Sequence, residues 1–223
     1  MFLLPSSSIG RKKFVALTGL LLIGFLVGHL AGNLLIFLGP EPFNNYAHKL
    51  AGLRPGLFVV EFGLLAVFIG HIVVTMQLAA ENRKARGGSY GVPAKAGARS
   101  FSNRVMPYSG GLIFFFVVLH LLDFTFKLFG YPSTIEGFEG DFELYGVVYN
   151  SFSNWVHSYL YVMAMICLGF HLTHAIQSVL RSFGWYDHKL MPVFMRASVI
   201  IGIVMAASYS AIPIAVLTRV IGP

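Results

Sequence analysis

From the N-terminus onward, apolar residues run together in five long blocks, 14–38, 57–80, 108–129, 153–180 and 194–218, separated by short polar segments. About 20 apolar residues are enough for a helix to cross the hydrocarbon core. The pattern therefore predicts an all-α integral membrane bundle of five transmembrane helices, forming a single domain over 1–223. The first block is longer than the apolar stretch of a secretory signal, and no small-residue cleavage site precedes a polar start, so it is read as a retained span. The connections at 81–107 and 130–152 are the longest, and both are expected as loops with no domain of their own.

Composition agrees with the pattern. Of the 223 residues 56% are hydrophobic and 11% charged, well under half the charged fraction of a soluble domain, about 25%. The single cysteine, Cys167, excludes a disulfide framework and a thiolate-held zinc or iron–sulfur centre. A net charge of +7 would suggest nucleic acid in a soluble chain, but its placement argues otherwise. Twelve of the 16 Lys and Arg residues fall before span one, between spans two and three, or between spans four and five. The opposite side keeps Lys49, Arg54, Lys127 and Arg219 beside the acidic residues Glu136, Glu139, Asp141 and Glu143. The positive-inside rule then puts the N-terminus in the cytoplasm and the C-terminus outside, with the cations facing acidic lipid head groups and a docked partner. No P-loop or dinucleotide-binding glycine pattern is present, and Gly87-Gly88 is a loop feature.

Four of the eight histidines lie inside four different spans: His29, His71, His120 and His171. Ionisable residues within a membrane cost several kcal/mol and mark functional sites by default. At 1.5 Å per residue, His29 and His120 are expected roughly 18 to 22 Å from the inner surface, and His71 and His171 roughly 14 Å. A repeat supports the first pairing: Thr18-Gly19, nine residues, His29, against Ser109-Gly110, nine residues, His120. Eleven residues nearly return a helix to the same face, so each hydroxyl lies on its histidine's face about 16 Å deeper. Facing imidazoles in a bundle core suit low-spin haem iron, and Gly28, Gly32, Gly70 and Gly169 would let a flat macrocycle approach the backbone. Two stacked haems make an electron path across the membrane, with a quinone as the natural lipid-soluble partner and another subunit as the cytoplasmic electron source.

Glu61, near the outer end of span two, is a candidate for exchanging quinone protons. Asp123 and Lys127 have the spacing of an intrahelical ion pair. His48, with Asn45 beside it in the outer loop, is a further quinone-site candidate, and His174, one turn beyond His171, a propionate or quinone contact. Haem propionates would find partners in Thr18, Arg104, Ser109 and Arg181. Trp155 and Trp185 suit the aromatic belts at the two interfaces, and His157 and His188 receive no role.

Taken together, these motifs resemble the single-chain, five-helix, two-haem cytochrome b anchors of succinate:quinone oxidoreductases and fumarate reductases, the succinate dehydrogenase cytochrome b558 family. The resemblance runs from about Ser8 to the end and rests on 8–12 Ser-Ile-Gly-Arg-Lys, the stretch from Thr18-Gly19 to His29, 32–34 Gly-Asn-Leu and 45–48 Asn-Tyr-Ala-His. It continues through Ser109-Gly110 to His120, 120–125 His-Leu-Leu-Asp-Phe-Thr, and His171 followed by 184–187 Gly-Trp-Tyr-Asp. It implies that His29 and His120 bind the iron of a distal haem b, and His71 and His171 that of a proximal one. It also implies a flavoprotein subunit with FAD, an iron–sulfur subunit carrying the clusters, menaquinone as the expected quinone, and a bacterial cytoplasmic membrane. Succinate dehydrogenase activity would belong to the complex, with the dicarboxylate chemistry on the partner subunits. Menaquinol-oxidising fumarate reductases of this family carry an acidic residue two positions before the fourth ligand, where this chain has Gly169; that departure favours succinate oxidation. The competing readings are a fumarate reductase anchor, the anchor of a hydrogenase or nitrate reductase, and a proton-coupled transporter with histidine relays.

Overall fold

A computed structural model describes residues 7–84, 101–185, 187 and 189–222, with side chains from 105 onward in the second segment. All regular structure among these residues is helical: α1 (Ser8–Asn33), a 3₁₀ turn (Leu34–Leu38), α2 (Pro40–Gly52), α3 (Gly56–Lys84), α4 (Phe101–Phe124), α5 (Glu143–Ser153), α6 (Trp155–Ser182) and α7 (Met191–Leu217). α1 with its 3₁₀ extension, α3, α4, α6 and α7 are long and apolar enough to cross a membrane. The protein is thus a multi-pass helical membrane protein by length and composition.

The helix ends follow local chemistry. Ser7 caps α1 by accepting from the Gly10 N–H at 3.0 Å, and Asn154 caps α6 by accepting from Val156 and His157 N–H, satisfying donors that a helix start leaves open. α2 begins with Pro40, whose missing N–H costs nothing at that position, after Gly39 at φ 101°. α4 stops at Phe124, and Lys127 lies at φ 50°. The chain therefore leaves the helix before the spacing from Asp123 to Lys127 can become a helical pair, contrary to the expectation from sequence.

Two further differences concern elements that apolar runs do not reveal. The expected loops contain α2 and α5, 13 and 11 residues long. Both are too short to cross a membrane, and they pack against each other as a cap over one end of the bundle. Asn44 bridges them: its amide donates to the Phe142 carbonyl at 2.9 Å and its oxygen accepts from the Tyr145 N–H at 3.0 Å. Beneath the cap lies an apolar cluster of Ile36, Phe43, Ile135, Tyr145, Val148, Phe152, Tyr161, Ile212 and Val216. The Tyr145 hydroxyl donates to the Gly222 carbonyl, drawing the C-terminal residues into this end.

Contacts set the helix directions. Arg11 at the start of α1 pairs with Glu81 at the end of α3, Gln177 of α6 donates to Ser198 of α7 at 2.9 Å, and the Tyr209 hydroxyl of α7 donates to the Leu26 carbonyl of α1 at 2.7 Å. One end of the bundle thus gathers Arg11, Lys12, Lys13, Arg83, Lys84, Arg181, Lys189 and Arg196 and is called the basic rim; Arg86, Lys95, Arg99 and His188 lie outside the described residues. α6 and α7 make the closest approach, at Gly169 and Gly202. A Cβ built on Gly169 would lie 2.7 Å from the Gly202 carbonyl oxygen and 2.8 Å from the Ala206 Cβ. Within lipid, where apolar burial gives helices little reason to associate, such close backbone packing is a main source of adhesion. The outward faces of α3 and α4 are apolar, with Val59, Phe62, Met76 and Phe115 each more than 60% exposed, as a lipid-facing surface requires.

Candidate functional site

The bundle brings His29 and His120 into ring contact and sets His71 near enough to His171 to act on it electrostatically. His29 of α1 and His120 of α4 face each other with ring centroids 5.8 Å apart and ring planes nearly perpendicular, at 84°. Phe25 stacks on His29, Phe116 stacks on His120, and Tyr161 and Tyr209 lie near the two rings. The Nδ1 atom of His120 is buried with no hydrogen-bond partner, an expensive state for a polar group in the interior.

The second pair is framed by the hydroxyl–glycine repeat. His71 Nδ1 lies 2.9 Å from Thr18 Oγ1, and His171 Nδ1 lies 3.0 Å from Ser109 Oγ. The adjoining glycines face the same rings, since a Cβ on Gly19 or Gly110 would sit 3.5 Å from Cε1 of His71 or His171 respectively. Sequence spacing directs attention to these hydroxyls as propionate partners. In the structure each is buried and taken up by an imidazole and a backbone carbonyl: Thr18 donates to Phe14 or Val15, and Ser109 to Met106. The α1–α3 and α4–α6 pairs therefore repeat one arrangement, in which the first helix contributes a histidine to one level and a hydroxyl to the other.

The levels are further apart than expected from sequence. His29 lies 21 residues from the start of α1 and His120 19 from the start of α4, whereas His71 is 13 residues from the end of α3 and His171 11 from the end of α6. Rise per residue converts these to roughly 30 Å against roughly 16 to 20 Å from the basic rim. The contacts give the separation directly, since His71 meets Thr18 and His171 meets Ser109, each eleven residues, or roughly 16 Å, along the helix from His29 or His120.

Other residues fall differently. His174 is half-buried beyond His171 and near enough to interact with it electrostatically. Arg181 is exposed at the basic rim, and the side chain of Arg104 lies outside the described residues. Glu61 is exposed and pairs with Arg54 at 3.1 Å, whose guanidinium covers Phe58. His48 pairs with Glu143 at 2.5 Å, joining α2 to α5. Asn45 is exposed, while its neighbour Asn44 performs the bridging. These three quinone-site candidates are thus surface or cap residues. Of the glycines expected beside a macrocycle, Gly32 is filled by the Tyr46 ring, Gly70 meets Phe14, Gly169 meets α7, and only Gly28 faces open space.

A polar cluster missed in the sequence lies beside the His29–His120 pair. Asp123 is 1% exposed and accepts from the Tyr161 hydroxyl, with His157 Nε2 3.3 Å from the same carboxylate oxygen; its other oxygen is unpartnered. Tyr131, outside the spans, reaches His157 Nδ1 at 3.5 Å, and burial together with the nearby Asp123 carboxylate raises its hydroxyl above the ordinary tyrosine value. The available signal was the spacing of His157 and Tyr161, four apart on one helix face, with an aspartate inside an apolar run. The ion-pair reading with Lys127 hid it.

No group of three or more His, Cys, Asp or Glu suited to holding a bare metal ion occurs among the described residues; the histidines come as pairs. No protein-family model, curated protein or solved structure matches the chain.

Proposed function

We propose that this chain is the dihaem cytochrome b anchor of a succinate:quinone oxidoreductase, set in a bacterial cytoplasmic membrane with the basic rim and N-terminus inside and the C-terminus outside. The observation that carries this reading is the presence of two imidazole pairs at two levels of one bundle. Two imidazoles on either side of one metal, with metal–nitrogen bonds of about 2 Å as imidazole makes to zinc, have ring centroids roughly 6 Å apart. The 5.8 Å between His29 and His120 fits that requirement, and the unpartnered Nδ1 of His120 marks this pair as an incompletely satisfied polar site. A pair, rather than a cluster of three or four, suits a macrocycle that brings its own four nitrogen ligands.

In this reading His29 and His120 would hold the distal haem b, and His71 and His171 the proximal one. When bound, haem b supplies reversible one-electron transfer. The protein's part is to keep the two sites at fixed levels, to exclude water with the aromatic rings around His29 and His120, and to present cations at the basic rim to an iron–sulfur subunit, which would in turn carry a flavoprotein with FAD. Quinone, with menaquinone the expected species, would exchange electrons near the distal pair, where Asp123, Tyr161 and His157 form the buried polar cluster. Gly169 supports succinate oxidation, because its close approach to α7 leaves no room for the acidic side chain that the resembling fumarate reductases carry.

Reduced-minus-oxidised spectra with haem quantification test the reading in the wild type and the four His→Ala variants. Two haems b per chain are expected, with His29→Ala and His120→Ala losing one and His71→Ala and His171→Ala losing the other. A wild type with no b-type signal would leave a proton-coupled transporter as the better account. Co-purification of a covalent flavoprotein separates the succinate complex from hydrogenase or nitrate reductase anchors.

A further inference from the structure

We infer that Thr18 and Ser109 are positioning residues that hold His71 and His171 in the Nδ1–H tautomer, leaving Nε2 of both rings as the atom free to ligate; this rests on the dihaem reading for its consequence but not for its geometry. A neutral imidazole carries one N–H and one bare nitrogen, and which is which follows from the hydrogen bond that one of them makes. A threonine or serine hydroxyl has a single proton. In Thr18 it goes to the carbonyls of Phe14 or Val15, at 2.9 and 3.1 Å, and in Ser109 to that of Met106 at 3.0 Å. Each hydroxyl oxygen then meets its imidazole with lone pairs only, so Nδ1 must be the donor at 2.9 and 3.0 Å.

The two sites match in three respects. Each places a buried hydroxyl one residue before a glycine, each glycine faces Cε1 of the ring at the same 3.5 Å, and each hydroxyl lies eleven residues before a histidine of the other pair. A Cβ at Gly19 or Gly110 would rest in ordinary van der Waals contact with the ring edge between its two nitrogens. An acceptor on the far nitrogen fixes ring orientation and raises the basicity of the ligating one, and its loss typically weakens metal sites 10- to 100-fold. The pair formed by His29 and His120 lacks this device, since Nδ1 of His120 has no partner, so the two sites should differ in potential.

Two measurements test this. In ¹⁵N-histidine spectra of the full-length chain before haem loading, His71 and His171 should report as Nδ1–H. Thr18→Val and Ser109→Ala should each convert one of them to a tautomeric mixture, with Thr18→Ser and Ser109→Thr restoring it. An Nε2–H signal in the wild type overturns the inference whether or not haem binds. In the haem-loaded complex, Thr18→Val or Ser109→Ala should raise the midpoint potential of the haem lost in His71→Ala and loosen its retention roughly tenfold, leaving the other unchanged. Unchanged potentials in both variants, or a shift in the haem dependent on His29, would overturn it. A wild type with Nδ1–H tautomers and no haem would instead refute the dihaem reading alone.

Discussion

Gly169 offers the sharpest steric test of the bundle. Replacing it with alanine adds one carbon, which the backbone places 2.7 Å from the Gly202 carbonyl oxygen and 2.8 Å from the Ala206 Cβ. Neither neighbour is the end of a flexible side chain, so relief requires α7 to move away from α6 along their closest contact. Overpacking of this kind costs about 1–3 kcal/mol, while alanine recovers up to about 1 kcal/mol of helix propensity. The net expectation for Gly169→Ala is a loss of about 1–2 kcal/mol. Gly28→Ala supplies the control, because a Cβ there meets nothing within 4 Å; it should be neutral or stabilising by a few tenths of a kcal/mol. Reversible denaturation of both variants in detergent gives the comparison. Gly169→Ala as stable as wild type, or Gly28→Ala the more damaged of the two, would refute the packing argument and reopen the position to an acidic residue. Gly169→Glu should disrupt the bundle more severely than the alanine variant.

Tyr161→Phe removes the hydroxyl donor to buried Asp123 and should destabilise by about 1–3 kcal/mol through an under-satisfied carboxylate; adding Asp123→Leu should recover part of that loss in a double-mutant cycle. At the capped end, the Ser133 hydroxyl and then the Glu143 N–H hold the Asp141 carboxyl below the ordinary aspartate value. A depressed carboxyl contributes stability above its unfolded value, about 4, and loses it as pH falls through the folded one. Amide exchange at Glu143 should therefore be pH-independent in relative protection near neutrality, rise only in acid, and rise at all pH values in Asp141→Asn. If acid exchange is the same in wild type and Asp141→Asn, this carboxylate does not hold the start of α5.

How much of the molecule could be read from the chain depended on the range of the interaction involved. The five spans were legible because membrane insertion selects on the mean polarity of about 20 consecutive residues, a local property. Their ends were less so: α1 and α4 extend through polar residues that a hydropathy reading assigns to loops, while α4 stops short of its apolar run at Phe124. The pairing of His29 with His120 was legible in the repeated spacing. The cap helices were not, because α2 and α5 are held by Asn44 and by the apolar cluster beneath them, contacts between residues about 100 positions apart.

The residue types and their periodicity thus determined a helical membrane bundle with four histidines within its spans. Only the packed structure decided what surrounds each of them. Thr18 and Ser109 meet His71 and His171, Gly169 meets α7, and Asp123 turns inward to Tyr161 and His157 rather than along its own helix to Lys127. Spacing along a helix specifies which face a side chain occupies. The partner it meets there depends on which other helix covers that face, at what depth and in what direction, and those quantities exist only after the five spans have assembled.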